Sequence, residues 1–369
     1  MKPARKLTAE DLFGDILGDL DGPGPEPVLA EPGEHPQEKP EAVLEVFGNY
    51  DLLTRIAAGG MAELFRARPR GGDPPQKVVA IKRILPHLST NVEFIRMFIN
   101  EAKVATQLGH PNIAQVFDLG KANGLYYIAM ELVHGKDLRS VLRKIKEFSL
   151  PMPEVLAATV IAKIANALDY AHRKRAINDR ELRLVHRDIS PQNIVVSYAG
   201  EVKLVDFGIA KAANRSNMTQ AGALKGKLLY MSPEQALGLP LDSRSDLYSL
   251  GLVLAELLTG VRCFHADSDL GVLEKVRLGK VIDIRAANPA LSEEILLILD
   301  RVLQREPGHR FPSGRLFERA LKELLAARRC VPTELDLALY LTTMLSASRD
   351  EARTFVRERY SEARSDRPA

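Results

Sequence analysis

Two short motifs in the middle of the chain carry carboxylates at a spacing suited to acid–base and metal chemistry. His186-Arg187-Asp188 is followed by Asn193, and Asp206-Phe207-Gly208 begins 18 positions after Asp188, across two strand-like runs. A carboxylate can take up a hydroxyl proton, and carboxylate and amide oxygens suit hard divalent cations. Either tripeptide alone occurs by chance in about 5% of chains this long, but their order and spacing make coincidence a poor explanation.

A cation and a matching acid precede these motifs. Lys82 ends the apolar strand-like run Val79-Ala80-Ile81, and Glu101 lies on the next predicted helix, with Ser232-Pro233-Glu234 further downstream. Such a pair can hold a polyanion, since phosphoryl transfer depends on positioning and charge stabilisation. A weak surface ion pair is the alternative interpretation of Lys82 and Glu101.

As a set, these motifs resemble those of bacterial eukaryotic-like (Hanks-type) Ser/Thr protein kinases, over about residues 50–325. The resemblance implies an α+β, bilobal protein-kinase-like fold with a small β-rich N-lobe and a larger helical C-lobe. It implies an ATP-dependent serine/threonine protein kinase that transfers the γ-phosphoryl group of Mg-ATP to protein hydroxyls and autophosphorylates its activation loop in intracellular signalling. Further markers of the family are Gly59-Gly60-Met61, His110-Pro111-Asn112-Ile113, Met231 to Gln235, Asp246 to Gly251, and Arg310 within Glu306 to Phe311.

The resemblance assigns five residues to the catalytic centre. Lys82 would hold the ATP phosphates, with Glu101 as its anchor. Asp206 would bind Mg²⁺ and Asn193 would complete the oxygen shell of the ion. Asp188 would accept or orient the proton of the substrate hydroxyl.

The adenine pocket is assigned through the hinge sequence Met130-Glu131-Leu132-Val133. The resemblance implies that backbone groups of Glu131 and Val133 meet adenine, with Met130 as gatekeeper and Asp137 near the ribose. Plain core packing is the alternative for Met130 and Val133. The remaining nucleotide-binding residues that the resemblance implies are Ile56, Gly59, Gly60, Leu64 and Ala80.

Other positions resemble the architecture and regulation of the family. Glu234 and Arg310 match its buried ion pair beneath the activation segment, and Asp246 matches the helix-start residue that binds the catalytic-loop backbone. Thr219 resembles the activation-loop phosphosite, with Ser216 as second choice and an unmodified loop as the alternative. Phosphate there would gain charge-assisted hydrogen bonds to nearby cations.

The glycine-rich loop departs from the family pattern G-x-G-x-x-G. Only the middle glycine, Gly59, is kept, with Gly60 beside it, and alanines stand at the first and third positions, 57 and 62. An alanine forced to positive φ costs on the order of 1 kcal/mol. The sequence therefore predicts a stiffer loop with a weaker hold on ATP.

The catalytic loop departs at Ser190, where Ser/Thr members of the family place a lysine that neutralises charge on the transferring phosphoryl group. Lys227 stands where the family has a threonine that packs against that lysine. We therefore predict a swap, in which Lys227 is catalytic and supplies the lost cation, because electrostatic stabilisation is a large catalytic term. A solvated Lys227 in a weak enzyme is the alternative.

Strands and helices must bring these groups together. Apolar runs and turn residues predict strands within 50–85 and at 125–130, 194–197 and 202–205. Apolar periodicity predicts helices at 91–108, 153–172, 244–260, 292–304 and 314–328, and two more at 332–345 and 349–363. A small β-rich lobe therefore precedes a larger helical one.

The ends of the chain differ from its centre. Residues 1–46 form a predicted disordered, acidic, proline-rich extension with a short amphipathic segment, residues 47–327 the kinase domain, and residues 328–369 a helical extension. Both extensions are candidates for docking partners, and packing on the helical lobe is an alternative for the second. No run reaches the length of a membrane span, the best being Leu250 to Val261 with Glu256 inside it.

Composition bounds the alternatives. Lys plus Arg number 51 and Asp plus Glu 48, so there is no electrostatic case for nucleic acid. Two cysteines fit a reducing cytoplasm. A pseudokinase scaffold that binds nucleotide or partners without turnover is the main alternative; a small-molecule kinase is a distant one, and Ser190 leaves tyrosine specificity open.

Overall fold

The computed structural model describes residues 42–71, 77–175, 179, 181–182, 184–206 and 228–360. The predicted disordered extension up to residue 41, the phosphosites Ser216 and Thr219, and Lys227 lie outside the described residues. No helix among the described residues has the length and hydropathy that crossing a membrane requires.

The first lobe is a six-stranded antiparallel sheet in the order β1-β2-β3-β4-β6-β5, and helix α1 packs against it. Asn91 starts α1 by accepting hydrogen bonds from the backbone N–H groups of Glu93 and Phe94. The bounds are β1 Glu45–Phe47, β2 Tyr50–Ala58, β3 Ala62–Pro69, β4 Val79–Ile84, α1 Val92–Ala105, β5 Val116–Ala122 and β6 Leu125–Glu131.

Alternation along β4 gives this sheet two apolar faces. Val79 and Ile81 pack on the outer face with Phe47 of β1, whereas Ala80 packs on the inner face with Phe98 of α1. Lys82, two residues beyond Ala80, therefore points toward α1. The sequence alone thus decides which way this lysine faces once β4 is a strand.

Strand β1 joins the outer face through Arg83, which is next to Lys82 in sequence. The Arg83 guanidinium lies 5.2 Å from the ring centre of Phe47 and 4.6 Å from that of Phe65. It also pairs with Glu45 at 2.7 Å and Glu63 at 3.2 Å. Glu45 and Val46, the last residues of the segment predicted to be disordered, therefore belong to a paired strand that the buried ring of Phe47 anchors.

The second lobe is helical, as predicted, and two largely buried helices, α3 (Glu154–His172) and α5 (Ser243–Thr259), form its centre. A three-stranded sheet β7-β8-β9 lies at the lobe junction, where Ile113 bridges to Leu204 of β9. This confirms the bilobal α+β protein kinase fold. The bounds are β7 Gly135–Asp137, α2 Leu138–Phe148, α3 Glu154–His172, β8 Ile194–Ser197, β9 Val202–Leu204, α4 Pro233–Leu237, α5 Ser243–Thr259, α6 Asp269–Leu278, α7 Ile284–Ala287, α8 Glu293–Val302, α9 Gly314–Ala327, α10 Glu334–Ser346 and α11 Arg349–Tyr360.

Candidate active site

The ammonium group of Lys82 joins three elements at the cleft between the lobes. Its Nζ lies 2.9 Å from Oε1 of Glu101 on α1 and 2.8 Å from Oδ1 of Asp206, just after β9. Burial disfavours the charged form of Lys82, but the two carboxylates outweigh it and hold the pKa of the ammonium above its ordinary value. Lys82 therefore stays cationic throughout the working pH range.

Asp188 and Asn193 form a second unit on the catalytic loop. The amide nitrogen Nδ2 of Asn193 donates to the backbone carbonyl of Asp188 at 2.7 Å and to its carboxylate Oδ2 at 2.8 Å. A 3-10 turn at Pro191–Asn193 places the two side chains together, with the Asn193 N–H donating to the Ser190 carbonyl. The loop thus fixes the carboxylate that the sequence assigns to the substrate hydroxyl.

Each of these two units contains a residue with strained backbone. Arg187 has φ 64° and Asp206 has φ 55°, both in the left-handed region that non-glycine residues rarely adopt. Each such residue costs of order 1–3 kcal/mol and persists only where its surroundings determine it. At Arg187 the determinant is Asp246.

Asp246 on helix α5 is buried beneath the catalytic loop and accepts three hydrogen bonds. Its donors are the backbone N–H groups of His186 at 2.7 Å and Arg187 at 2.8 Å, and Nε2 of His172 at 2.8 Å. Burial opposes ionisation, but these donors and the two histidines hold the pKa of Asp246 below its ordinary value. The predicted contact between Asp246 and the catalytic-loop backbone is present.

Replacing Asp246 with asparagine is expected to destabilise the fold by about 3 kcal/mol at pH 7, because hydrogen bonds to a buried carboxylate are lost. A depressed pKa contributes stability above the ordinary pKa of aspartate that is lost as pH falls through the folded value. The gap between wild type and Asp246→Asn should therefore shrink below about pH 4. Urea unfolding of both proteins at pH 7 and below about pH 4 measures this difference in stability. A difference that grows on acidification would contradict the role of the ionised Asp246 carboxylate.

The glycine-rich turn joins β2 to β3 without the expected strain. Ala57 is extended in β2, opposite Leu64, and Ala62 begins β3; neither has positive φ. Gly59 donates its N–H to the Ala62 carbonyl at 2.9 Å and closes the turn. The cost predicted for alanine at these positions therefore does not arise here.

The hinge carboxylate of Glu131 is held by residues that the sequence analysis did not single out. Lys203 of β9 pairs with Oε1 of Glu131 at 2.9 Å, and the Gln115 N–H donates to Oε2 at 3.1 Å. The Glu131 N–H donates in turn to the Gln115 carbonyl at 2.8 Å. This contact ties the hinge to the C-lobe, and only the tertiary fold brings Lys203 to it.

The small sheet places Val195 opposite Asp137, close in sequence to Asn193. Val195, two residues after Asn193, lies in β8 between Asp137 and Lys203, its partners on the two neighbouring strands. Asp137 also starts α2, where its carboxylate accepts from the Ser140 N–H at 2.8 Å. Val195 was not predicted as a site residue. Its half-buried position opposite Asp137, which was predicted, makes it a further candidate.

The other predicted pocket residues divide by burial. Met130 and Ala80 are buried on the inner face of the N-lobe sheet, with Leu64 packed against the same cluster. A small cavity lined by Glu101, Met130, Leu204 and Asp206 lies behind the gatekeeper position. Three predicted residues at the glycine-rich turn are exposed: Ile56, Gly59 and Gly60. Val133 at the hinge is half-buried.

Ser190 lies beside this centre and is 7% exposed. Its hydroxyl has no hydrogen-bond partner among the described residues. A buried hydroxyl without a partner costs free energy, so packing alone gives no reason for serine here. A neutral hydroxyl cannot supply the positive charge that the family's lysine brings to this position.

A buried ion pair supports helix α4. Arg310 reaches Oε1 and Oε2 of Glu234 with Nη1 and Nη2 at 2.7 and 2.8 Å, and Ser245 donates to the same carboxylate at 2.6 Å. Burial opposes ionisation of Glu234, but these donors hold its pKa below the ordinary value. The pair predicted from the sequence is present, and it anchors helix α4.

The donor set at the cleft fits a magnesium ion. The amide nitrogen Nδ2 of Asn193 donates to Asp188, so the amide oxygen Oδ1 of Asn193 is left to bind a cation. Asp206 contributes a carboxylate. Within the described ranges no three His, Cys, Asp or Glu side chains gather as a metal site. Two hard protein oxygens suit Mg²⁺, which usually completes its shell with water and substrate phosphates.

Comparison with known proteins agrees with this geometry. The chain is 43% identical over 286 residues to the tyrosine-protein kinase MasK of Myxococcus xanthus, covering 77% of this chain and 44% of MasK. It is 33% identical over 284 residues to the serine/threonine-protein kinase PrkC of Bacillus subtilis, covering 77% of this chain and 42% of PrkC. The chain thus spans less than half the length of either relative.

A solved structure and a family model extend the comparison. The kinase domain of Mycobacterium tuberculosis PknI is similar, with a TM-score of 0.58 and 28% identity over 76% of this chain and 98% of that one. The model described as "Protein kinase domain" matches residues 50–323. The resemblance to bacterial eukaryotic-like kinases is confirmed, and the chain belongs to the protein kinase domain family.

Proposed function

We propose that this chain is an ATP-dependent serine/threonine protein kinase that transfers the γ-phosphoryl group of Mg-ATP to protein hydroxyls. The observation that carries the proposal is the joint arrangement of Lys82 with Glu101 and Asp206, next to Asp188 held by Asn193. This is a cation, a metal-ligating carboxylate and a proton acceptor in one cleft. Both cysteines are free, which fits action in a reducing cytoplasm.

The chain's own residues divide the work of phosphoryl transfer. Lys82 binds the ATP phosphates, and Glu101 keeps its ammonium in the cleft. Asp206 and Asn193 would hold Mg²⁺, which supplies charge neutralisation on the phosphates when bound. Asp188 orients the acceptor hydroxyl and takes its proton. Glu131, fixed by Lys203, presents the hinge backbone to adenine.

The test is transfer of γ-labelled phosphate from Mg-ATP to the chain itself and to a generic basic protein, with Lys82→Met as control. Label that disappears in the control supports the proposal. No label above the control, from protein that unfolds cooperatively, would contradict it and favour a scaffold that binds without turnover. Mapping the label tests autophosphorylation at Thr219 or Ser216.

Tyrosine is the second candidate acceptor, favoured by one specific observation. Ser190 occupies the position where Ser/Thr kinases place lysine, and it is buried two residues after Asp188 in the catalytic loop. MasK, named a tyrosine-protein kinase, is among the relatives of the chain. Phosphoamino acid analysis of the labelled products separates the candidates: phosphotyrosine as the main product would replace the serine/threonine assignment.

The swap between Ser190 and Lys227 gives a prediction within this proposal. Replacing Lys227 with threonine removes the cation that we assign to the phosphoryl group, so turnover should fall by about 10²–10³-fold. Adding Ser190→Lys to that variant should restore part of the loss. Steady-state rates at saturating ATP measure both effects. The matched control is Lys136→Thr, at an exposed lysine of β7. Full activity in Lys227→Thr would exclude the swap.

A further inference from the structure

The C-terminal hairpin, helices α10 and α11, lies beyond the residues that match the kinase family. It is nevertheless part of the C-lobe core, because its apolar side chains are buried with those of α2, α3 and α5. Helix α10 packs on both α2 and β8. The buried hairpin residues are Leu337, Tyr340, Leu341, Met344 and Ala352.

Polar contacts hold the first residue of each hairpin helix. Glu334, at the start of α10, pairs with Lys163 of α3 at 3.2 Å. Arg349, at the start of α11, donates Nε to the carbonyl of Phe148 at 3.1 Å. Phe148 is the last residue of α2, so this bond meets one of the carbonyls that a helix end leaves without an internal partner.

The turn between β8 and β9 is shaped to receive α10. Gly200 has φ +85°, and a Cβ built on it would lie 1.7 Å from the backbone oxygen of Glu334. No side chain fits in that space. The glycine therefore serves two purposes: it forms the turn, and it lets α10 approach the sheet.

These contacts lead to the nucleotide cleft. Helix α2 begins at Asp137, which the family resemblance places near the ribose, and β8 directly follows Asn193 and pairs Val195 with Asp137. Helix α10 contacts the two elements that hold these residues. We propose that α10 and α11 brace α2 and β8 and thereby set the affinity of the cleft for nucleotide, an inference that rests on the proposed function.

The variant Gly200→Ala tests the brace, because it pushes α10 away. Gly124→Ala is its matched control: Gly124 has φ +80° in the β5–β6 turn but no atom within 4 Å of a built Cβ. Both variants place alanine at a similar positive φ, and only the first displaces the hairpin. The measurements are equilibrium binding of ATP, the split between KM for ATP and kcat, and amide hydrogen exchange in 138–148 and 334–346.

We expect Gly200→Ala to bind ATP about fivefold more weakly, with a matching rise in KM, kcat within about twofold, and faster exchange in both α10 and α2. Gly124→Ala should keep wild-type ATP affinity. Faster exchange in α10 with unchanged α2 and unchanged ATP affinity would show a hairpin that only covers the lobe, and would overturn the proposal.

Two further outcomes separate the proposals. Wild-type protein that binds ATP without transferring phosphate contradicts the kinase activity but leaves the brace measurable by binding and exchange; protein that does not bind ATP overturns both. If Gly200→Ala does not fold, Arg349→Ala replaces it, with the neighbouring exposed Arg353→Ala as control. Equal ATP affinity in those two variants would count against the brace.

Discussion

Asp188→Asn is expected to lower turnover by about 10²–10⁴-fold, because the amide cannot accept the proton of the substrate hydroxyl. The substitution is isosteric, and Asn193 can still donate to the backbone carbonyl of residue 188, a bond of 2.7 Å in the wild type. The Lys82 contacts to Glu101 and Asp206 do not involve this side chain. ATP affinity and stability should therefore stay close to wild type.

Single-turnover phosphate transfer and ATP binding, measured side by side, check this expectation. The conservative comparison is Asp188→Glu, which keeps a carboxylate but displaces it, and should retain more activity than the amide. A variant Asp188→Asn that transfers phosphate at the wild-type rate would remove Asp188 from the mechanism. One that loses ATP binding as well would point to a structural role.

The second large effect is expected from Arg310→Met, which should destabilise the fold by about 3–5 kcal/mol. The Arg310 side chain is fully buried and donates to Glu234 and to the backbone carbonyls of Arg244, Gln304 and Arg305. Methionine fills similar space but leaves the Glu234 carboxylate buried without its cation. That is the costly case, in contrast to removing both charges.

Urea unfolding of a double-mutant cycle measures this effect. Adding Glu234→Leu to Arg310→Met should recover part of the loss, because no unpaired charge remains. Arg310→Lys should stay destabilised, since lysine keeps the charge without the planar fork that meets both oxygens. Acidification should narrow the gap between Arg310→Met and wild type, because protonation neutralises the unpaired Glu234. A gap independent of pH would indicate lost packing as the cause.

Much of the catalytic centre could be predicted because its residues lie in contiguous motifs. The alternation of Val79 to Lys82 decides the direction of Lys82, and the predicted helix places Glu101 opposite it. Asp188 and Asn193 are only five residues apart, so the single 3-10 turn at Pro191–Asn193 is enough to bring their side chains together. The pairs Glu234–Arg310 and Asp246 with the catalytic loop could be named only through the family resemblance.

Other features depend on the three-dimensional fold and had no signal of their own. In the sequence, Lys203 is an ordinary charged residue on a short strand. Only the position of β9 in the fold brings it to Glu131. Gly200 reads as a turn glycine until α10 is packed on it. Strand β1 was missed because it has only three residues and follows a long acidic, proline-rich stretch that dominated the composition. The roles of Lys227 and Thr219 remain predictions.

The packing of Arg83 between Phe47 and Phe65 bears on how this protein can be shortened. A protein trimmed to the part that the family model matches would begin at Tyr50 and lack Phe47 and Glu45. Arg83 would retain only Glu63 of its two carboxylate partners, and the rings of Phe65 and Tyr127 would lose the cover of Phe47 and become solvent-accessible. Strand β2 would present an unpaired backbone edge. Such an edge beside an apolar patch invites self-association, so the smallest well-behaved version of this kinase domain begins before Glu45.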